Sequence, residues 1–368
     1  EVVGNDIPRI DYTDSTEGVL LLENSSTNLI PYSGDFTVTS WVKSDATITS
    51  NSTISPKGDL TADTITNDAV NDLHVVVIFN QWTSANLKTA SVFAKKNTAD
   101  YLYITNSSTG QVAFFNLADG TLGTADGLML NANIEDYGDG WYRCSVSNQQ
   151  NGTLGIGLSL QDNIESYSGS GESIYIWGAM LEQSSVKSSY IPTNGSTVQR
   201  AAETCNGSGN SEVFNDSQGV LFANIKGLSN PPSSETAISI SEGTSGANRM
   251  LIRQKTNGTI GMVLRVANST QATIDSNTIN TLLCAKVGLK YKLNDVALWI
   301  NGFEVGVDTS ANVFGANTIN QINFNQGNNS NPFYGKTKEI GYYDEILTDL
   351  ELETLTSYRS LNEMVTEL

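Results

Sequence analysis

Histidine is all but missing from this chain. Among 368 residues there is one, His74, which removes most histidine-dependent metal and nucleophile chemistry. The three cysteines, Cys144, Cys205 and Cys284, are too few and too scattered for a disulfide framework or a zinc cluster. In Trp141-Tyr-Arg-Cys144-Ser-Val146 and Leu282-Leu-Cys284-Ala-Lys-Val287 the thiol falls at an apolar strand position, where it acts as a small buried hydrophobe. Positive charge is scarce too. Lys and Arg number 20 against 39 Asp and Glu, a formal net charge of -19, so the basic face that a nucleic-acid partner requires is excluded. No run of about 18 apolar residues occurs, so no membrane insertion is expected. No charged-then-apolar stretch resembles a signal peptide. The chain starts at Glu1, without methionine and in ordinary-looking sequence, so an upstream portion that attaches it to neighbouring proteins is expected.

What is present is a neutral polar surface over a patterned interior. Charged residues are only 16% of the chain, so Asn, Ser, Thr and Gly must coat the fold with a thin excess of acid. The stretch 187–216 concentrates Pro, Gly, Asn and Ser, which punctuate structure, and it separates two halves of short alternating runs. Each half, of roughly 170–190 residues, is long enough to bury about 70% of its unfolded surface in its own core. In the first half the runs are 75–79, 90–94, 101–104, 112–115, 141–146, 154–160 and 174–180. Apolar residues at period two, enriched in β-branched and aromatic types, read as half-buried strands of two packed antiparallel sheets or a jelly roll. The second half continues with 219–225, 237–241, 250–255, 260–266, 283–291, 296–300, 304–307 and 322–324. Asn257-Gly258 between two of these predicts a type I′ hairpin. One helix is expected, with Thr348 as N-cap and Glu351 completing a capping box.

Several tracts occur together in a recognisable order. Ile7-Pro-Arg-Ile-Asp-Tyr12, Thr27-Asn-Leu-Ile-Pro-Tyr-Ser33, Ile134-Glu-Asp-Tyr-Gly-Asp-Gly-Trp-Tyr-Arg143 and Trp177-Gly-Ala-Met-Leu-Glu-Gln183 lead to Ser189-Tyr-Ile-Pro-Thr193 and Val198-Gln-Arg-Ala-Ala-Glu203. This series resembles a module of bacteriophage tail or head fibre and spike proteins, which implies a carbohydrate-binding-like jelly roll. The second half resembles a concanavalin A-like or laminin-G-like sandwich, through Tyr291-Lys-Leu-Asn-Asp-Val-Ala-Leu-Trp-Ile-Asn-Gly302 and Lys338-Glu-Ile-Gly-Tyr-Tyr-Asp-Glu-Ile-Leu-Thr-Asp-Leu-Glu351. The expected organisation is all-β: a connector over 1–27, a jelly roll over 28–193, an interdomain linker over 194–216 and a concanavalin A-like sandwich with a short C-terminal helix over 217–368. Such sandwiches serve as lectins, glycan hydrolases and structural modules alike, so fold alone does not assign function.

A glycan hydrolase on this fold needs two carboxylates flanking a cleft, and no strand-borne Glu-x-Asp-x-x-Glu run is present, so no enzymatic activity is expected. Sugar binding instead needs exposed aromatic faces with amides nearby. Trp82, after Asn80 and Gln81 at a strand end, is the tryptophan best placed for exposure, although core burial is the favoured reading for all five. Asn329, Phe333 and Tyr334, in the Asn-rich loop 325–334, are candidate rim contacts. Asp136 and Asp139 offer oxygens to a structural calcium ion, against the favoured reading of an ordinary tight turn before Trp141. No other cofactor is expected. The resemblance implies a virion fibre or spike subunit on the exterior of a phage particle, a homotrimer, with a host cell-surface glycan as partner. A purely structural or decoration protein of the particle, and the carbohydrate-binding part of a secreted polysaccharidase, are the alternatives.

Overall fold

The computed structural model describes residues 8–13, 17–231, 233–243 and 245–359. Ile7 of the N-terminal tract and the last residues, 360–368, lie outside the described residues. The described chain is all-β with one short helix, Asp349–Thr356, and it divides into two compact units. One is Ser25–Ala201; the other combines the described parts of Glu1–Asn24 and Ala202–Leu368.

In the central unit two six-stranded antiparallel sheets enclose one core. The first runs in the order Thr121–Ala125, Gln111–Asn116, Tyr101–Asn106, Gly152–Ser159, Val75–Trp82, Val42–Ser44; the second runs Leu130–Asp136, Trp141–Asn148, Lys88–Lys96, Ser173–Glu182, Leu60–Asn67, Ala46–Ile54. Period two decides which side chains go in. Along Trp141–Asn148, Tyr142, Cys144 and Val146 face the core, so Trp141, Arg143 and Ser145 face outward. Strands Ala46–Ile54 and Leu60–Asn67, absent from the expected runs, are rich in Thr, Ser and Asn and lack the apolar contrast that marks a half-buried strand.

The second unit is discontinuous in sequence. Its seven-stranded sheet runs Ile10–Asp11, Val19–Leu22, Gly335–Tyr343, Gln218–Gly227, Ala285–Lys292, Asp295–Ile300, Phe303–Asp308. Its six-stranded partner runs Asn206–Ser208, Gln321–Asn323, Thr236–Ser241, Arg249–Gln254, Thr259–Val266, Ser269–Asn280. The expectation of a connector over 1–27 is thereby corrected. Val19–Leu22 pairs with Gly335–Tyr343, Leu22 is buried in the core and Leu20 packs against it. A run of three leucines gains too much from leaving water to remain a tether. Arg9 adds a clamp, donating to the Glu23 carboxylate and, at 2.8 Å, to that of Glu203.

The expected linker is also partly ordered as strand. Val198–Arg200 pairs with Ser26–Asn28, and Asn206–Ser208 pairs with Gln321–Asn323. Turn chemistry differs from expectation at one hairpin. Of Asn257-Gly258 only Gly258 has positive φ (80°), and the Gly258 N–H donates to the Lys255 carbonyl, so this is a longer loop closed by a left-handed glycine. Two-residue turns with both φ positive are Asn301-Gly302 (51° and 86°), between Asp295–Ile300 and Phe303–Asp308, and Ala267-Asn268 (47° and 67°), between Thr259–Val266 and Ser269–Asn280. The helix begins as expected: the Thr348 hydroxyl accepts from the Glu351 N–H, and the Glu351 carboxylate accepts from the Thr348 N–H.

Candidate functional site

All five tryptophans are buried: Trp41, Trp82, Trp141, Trp177 and Trp299. Trp82 is 1% exposed and its Nε1–H donates to the Thr105 carbonyl at 3.4 Å, so its face is not available to a sugar. The reason is parity. Val76, Ile78 and Trp82 share the inward alternation, and the bulge opposite Gly152–Leu154 adds two residues, which preserves it. Asn80 and Gln81 do lie in that bulge, Asn80 exposed with φ 56° and Gln81 half-buried. Beside them Phe79, on the outward parity, is 56% exposed. It is an exposed aromatic at the end of the run 75–79 that was not among the expected site residues.

The loop 325–334 does not present its aromatics either. Phe333 is buried beside Phe324, and Tyr334 packs against the same core. Asn329 is exposed with φ 63°. Asp136 and Asp139 form a turn, not a cation cradle: Asp136 Oδ1 accepts the Gly138 N–H at 2.8 Å, and Lys95 Nζ donates to the Asp139 carbonyl at 2.5 Å. An ammonium at that carbonyl opposes a second cation. Among the described residues no group of three or more His, Cys, Asp or Glu is placed to hold a metal. An acidic cleft of about 450 Å³ is lined by Glu212, Phe214, Asp216, Phe314 and Asp344. Its Asp216 carboxylate is occupied by the N–H groups of Thr318 and Ile319.

Two outward sheet faces carry the concentrated chemistry. On the central unit, Phe93, Trp141 and Trp177 form a buried aromatic cluster over the second sheet. Tyr190, from the Ser189-Tyr-Ile-Pro-Thr193 tract, stacks on Trp177 at 4.7 Å between ring centres and shares a 2.6 Å hydrogen bond with Ser33. Arg143 lies over Phe93 at 5.2 Å and donates to Ser91 Oγ at 3.0 Å. The Trp-Tyr-Arg and Tyr-Ile-Pro-Thr tracts therefore meet here, and they close the face with their own side chains.

On the discontinuous unit the outward face is ionic. Register sets rows across the strands: Ser241, Arg249 and Arg265 stand side by side, then Ser239, Leu251 and Val263, then Ala237, Arg253, Gly261 and Asp275. In the last row the Arg253 guanidinium crosses Gly261 to reach Asp275 through Nη2 at 2.9 and 3.1 Å, while Nη1 donates to Glu235 at 3.0 Å. A Cβ at position 261 would stand 2.0 Å from Asp275 Oδ1, so glycine makes the pair possible. Lys255 Nζ donates to the other Asp275 oxygen at 2.9 Å. Burial would raise the Asp275 carboxyl, yet hydrogen bonds from Lys255 and Arg253 and their charges hold it below its ordinary value. Loop 325–331 rims this face: the Ser239 hydroxyl donates to the Asn325 carbonyl at 2.8 Å, Gln326 Nε2 to Glu235 Oε1 at 3.2 Å, and Arg249 Nη1 to the Gln326 carbonyl at 3.0 Å.

None of these arginines was among the expected site residues. The signal was available, since Arg249 and Arg253 are an even number apart within one strand and so share a face. That this face points away from the core, and that Arg265 joins it, depends on strand register.

No protein-family model matches the chain, and no curated protein matches it. Among solved structures it is similar to the CBM40 of the Ruminococcus gnavus IT-sialidase bound to α2,3-sialyllactose, at 22% identity and a TM-score of 0.35, covering 42% of this chain and 97% of that one. It is also similar to the SAP-like pentraxin of Limulus polyphemus, at 14% identity and a TM-score of 0.34, covering 42% and 76%. A third similar structure is the NanB sialidase of Streptococcus pneumoniae, at 16% identity and a TM-score of 0.33, covering 42% and 28%.

Proposed function

We propose that the chain is a non-enzymatic subunit of a bacteriophage fibre or spike, displayed on the virion exterior as a homotrimer, and that it recognises host surface glycans through the ionic outer face of its discontinuous unit. The observation that carries this reading is a set of fixed polar groups on a rigid sheet: Arg249, Arg253 and Arg265 with Glu235, Asp275 and the amides of loop 325–331. Sugars offer several hydroxyls per residue, and preorganised donors and acceptors satisfy them at little entropic cost. Virion placement and trimer rest on the fibre-like tracts of residues 7–203. Trimeric display would multiply weak single sites, since tethering raises avidity by about 10²–10⁴.

Action by binding rather than catalysis at this face is supported by the state of Asp275. A glycosidase needs one carboxyl raised so that it can donate a proton, and Asp275, locked between Arg253 and Lys255, is shifted the other way. A glycan array and host-cell binding assay with the full chain, displayed at high density, tests the proposal. Binding to at least one host glycan, lost on Arg253→Ala, is expected; no binding at any density overturns it, and release of sugar from any bound glycan would transfer the reading to an enzyme.

A second reading, a structural or decoration protein, is favoured by the edge strand Phe303–Asp308. Phe303 is 76% and Val307 51% exposed there, which suits packing against another virion protein.

A further inference from the structure

The Arg249–Arg265 pair is anomalous in a chain this acidic. Three of the chain's seven arginines lie on one sheet face, and two of them stand directly opposite each other across neighbouring strands. Like charges in that position destabilise a sheet unless something neutralises them. Arg253 is neutralised by Glu235 and Asp275. Arg249 and Arg265 are not: among the described residues neither is ion-paired to a carboxylate. Arg249 donates to the Gln326 carbonyl and Arg265 to the Asn268 carbonyl, each at 3.0 Å, and each Nε, like that of Arg253, has no acceptor among the described residues. Burial, and then the charge of Arg265, push the Arg249 guanidinium below its ordinary value, against the opposing charge of Glu235. Gly246, buried with φ 68°, lets Arg249 Nη1 pack against its backbone, since a Cβ there would stand 2.5 Å from that nitrogen.

We propose that Arg249 and Arg265 form an anion clamp that binds the carboxylate of an acidic sugar, making the glycan ligand a carboxylated one. This rests on the glycan-binding reading above and adds the substrate class. Arg249 and Arg265 face each other in register on adjacent strands, and guanidinium groups recognise a carboxylate through charge-assisted hydrogen bonds. A single carboxylate among neutral hydroxyls also suits the surroundings. Glu235 and Asp275 on the same face, and a net charge of -19, repel a densely charged sulfated or phosphorylated polymer.

The test is a glycan array of glucuronate-bearing oligosaccharides, their methyl esters, their sulfated counterparts and the neutral parents, probed with the full chain. The methyl ester keeps the shape and removes the charge. The acid is expected to bind about tenfold more tightly than its ester, the scale of one or two charge-assisted hydrogen bonds. In the Arg249→Gln/Arg265→Gln double variant the ratio is expected to fall towards one. Arg265→Gln alone should fold with an unchanged or higher Tm, because it removes a repulsion, so a lost preference in that variant is not lost structure. Equal binding of acid and ester, or tighter binding of the sulfated forms, overturns the carboxylate clamp while leaving glycan recognition standing. Binding of nothing on the array overturns glycan recognition itself, and the clamp with it.

Discussion

The outer face of the Trp141–Asn148 sheet is aromatic and covered by its own chain; the outer face of the Arg249–Gln254 sheet is ionic and half-exposed at its arginines. Each contains buried or half-buried arginine, Arg143 alone on the first face and Arg249, Arg253 and Arg265 on the second, and the two solve the problem differently. Arg143 is placed over an aromatic ring and beside a hydroxyl, with no carboxylate, in a site filled by Tyr190. Arg253 is held between two carboxylates, whereas among the described residues Arg249 and Arg265 face each other without a carboxylate ion pair. A face that satisfies itself adds stability, whereas one that leaves charges facing each other trades stability for binding.

That contrast can be broken first at the aromatic face. Trp177→Ala or Phe93→Ala should cost about 3–5 kcal/mol, the usual range for truncating a buried aromatic, in urea unfolding of the full chain. Glycan binding by the folded variant should persist. A small stability loss with abolished binding would instead make the aromatic face the binding site. At the ionic face, Gly261→Ala pushes a methyl into the Arg253–Asp275 pair and should cost about 1–3 kcal/mol, with weakened binding. An unchanged Tm would show that the pair reorganises freely.

Acid sharpens the comparison further. The Asp275 carboxyl is depressed in the folded state, so its contribution is full above the unfolded value near 3.8 and is lost as the pH falls through the lower folded value. Stability of the discontinuous unit should therefore decline in that window, and Asp275→Asn should flatten the decline. The Phe93, Trp141, Trp177 and Tyr190 cluster contains no carboxylate, so Trp177→Ala should leave the shape of the acid decline unchanged. The smallest effect is expected at Arg265→Gln, a gain of about 0.2–1 kcal/mol that shrinks with added salt. A loss would mean that Arg265 already has a stabilising partner.

Much of the fold was legible because its signals are local. Thr348 and Glu351 announce a helix start within four residues, and the alternation along 141–146 assigns inside and outside without any partner strand. The same locality explains the misses. Trp82 looks terminal in its run, yet only the two-residue bulge shows that it keeps the inward parity of Ile78. Two-residue turns with both φ positive fall at Asn301-Gly302 and Ala267-Asn268 rather than at Asn257-Gly258, because loop length is fixed by the pairing of the flanking strands, not by the dipeptide.

The sequence by itself determined an all-β chain of low charge, poor in the residues of metal and nucleophile chemistry, with its helix cap and most strand runs in place. Those follow from composition and short-range periodicity, which need no knowledge of neighbours. Only the tertiary structure decided that Val19–Leu22 completes a sheet more than 300 residues downstream in sequence, that every tryptophan is sealed, and that Arg249 faces Arg265. Strand partners and register are set by burial of whole faces at once, so residues far apart in sequence become a site only when the sheets close.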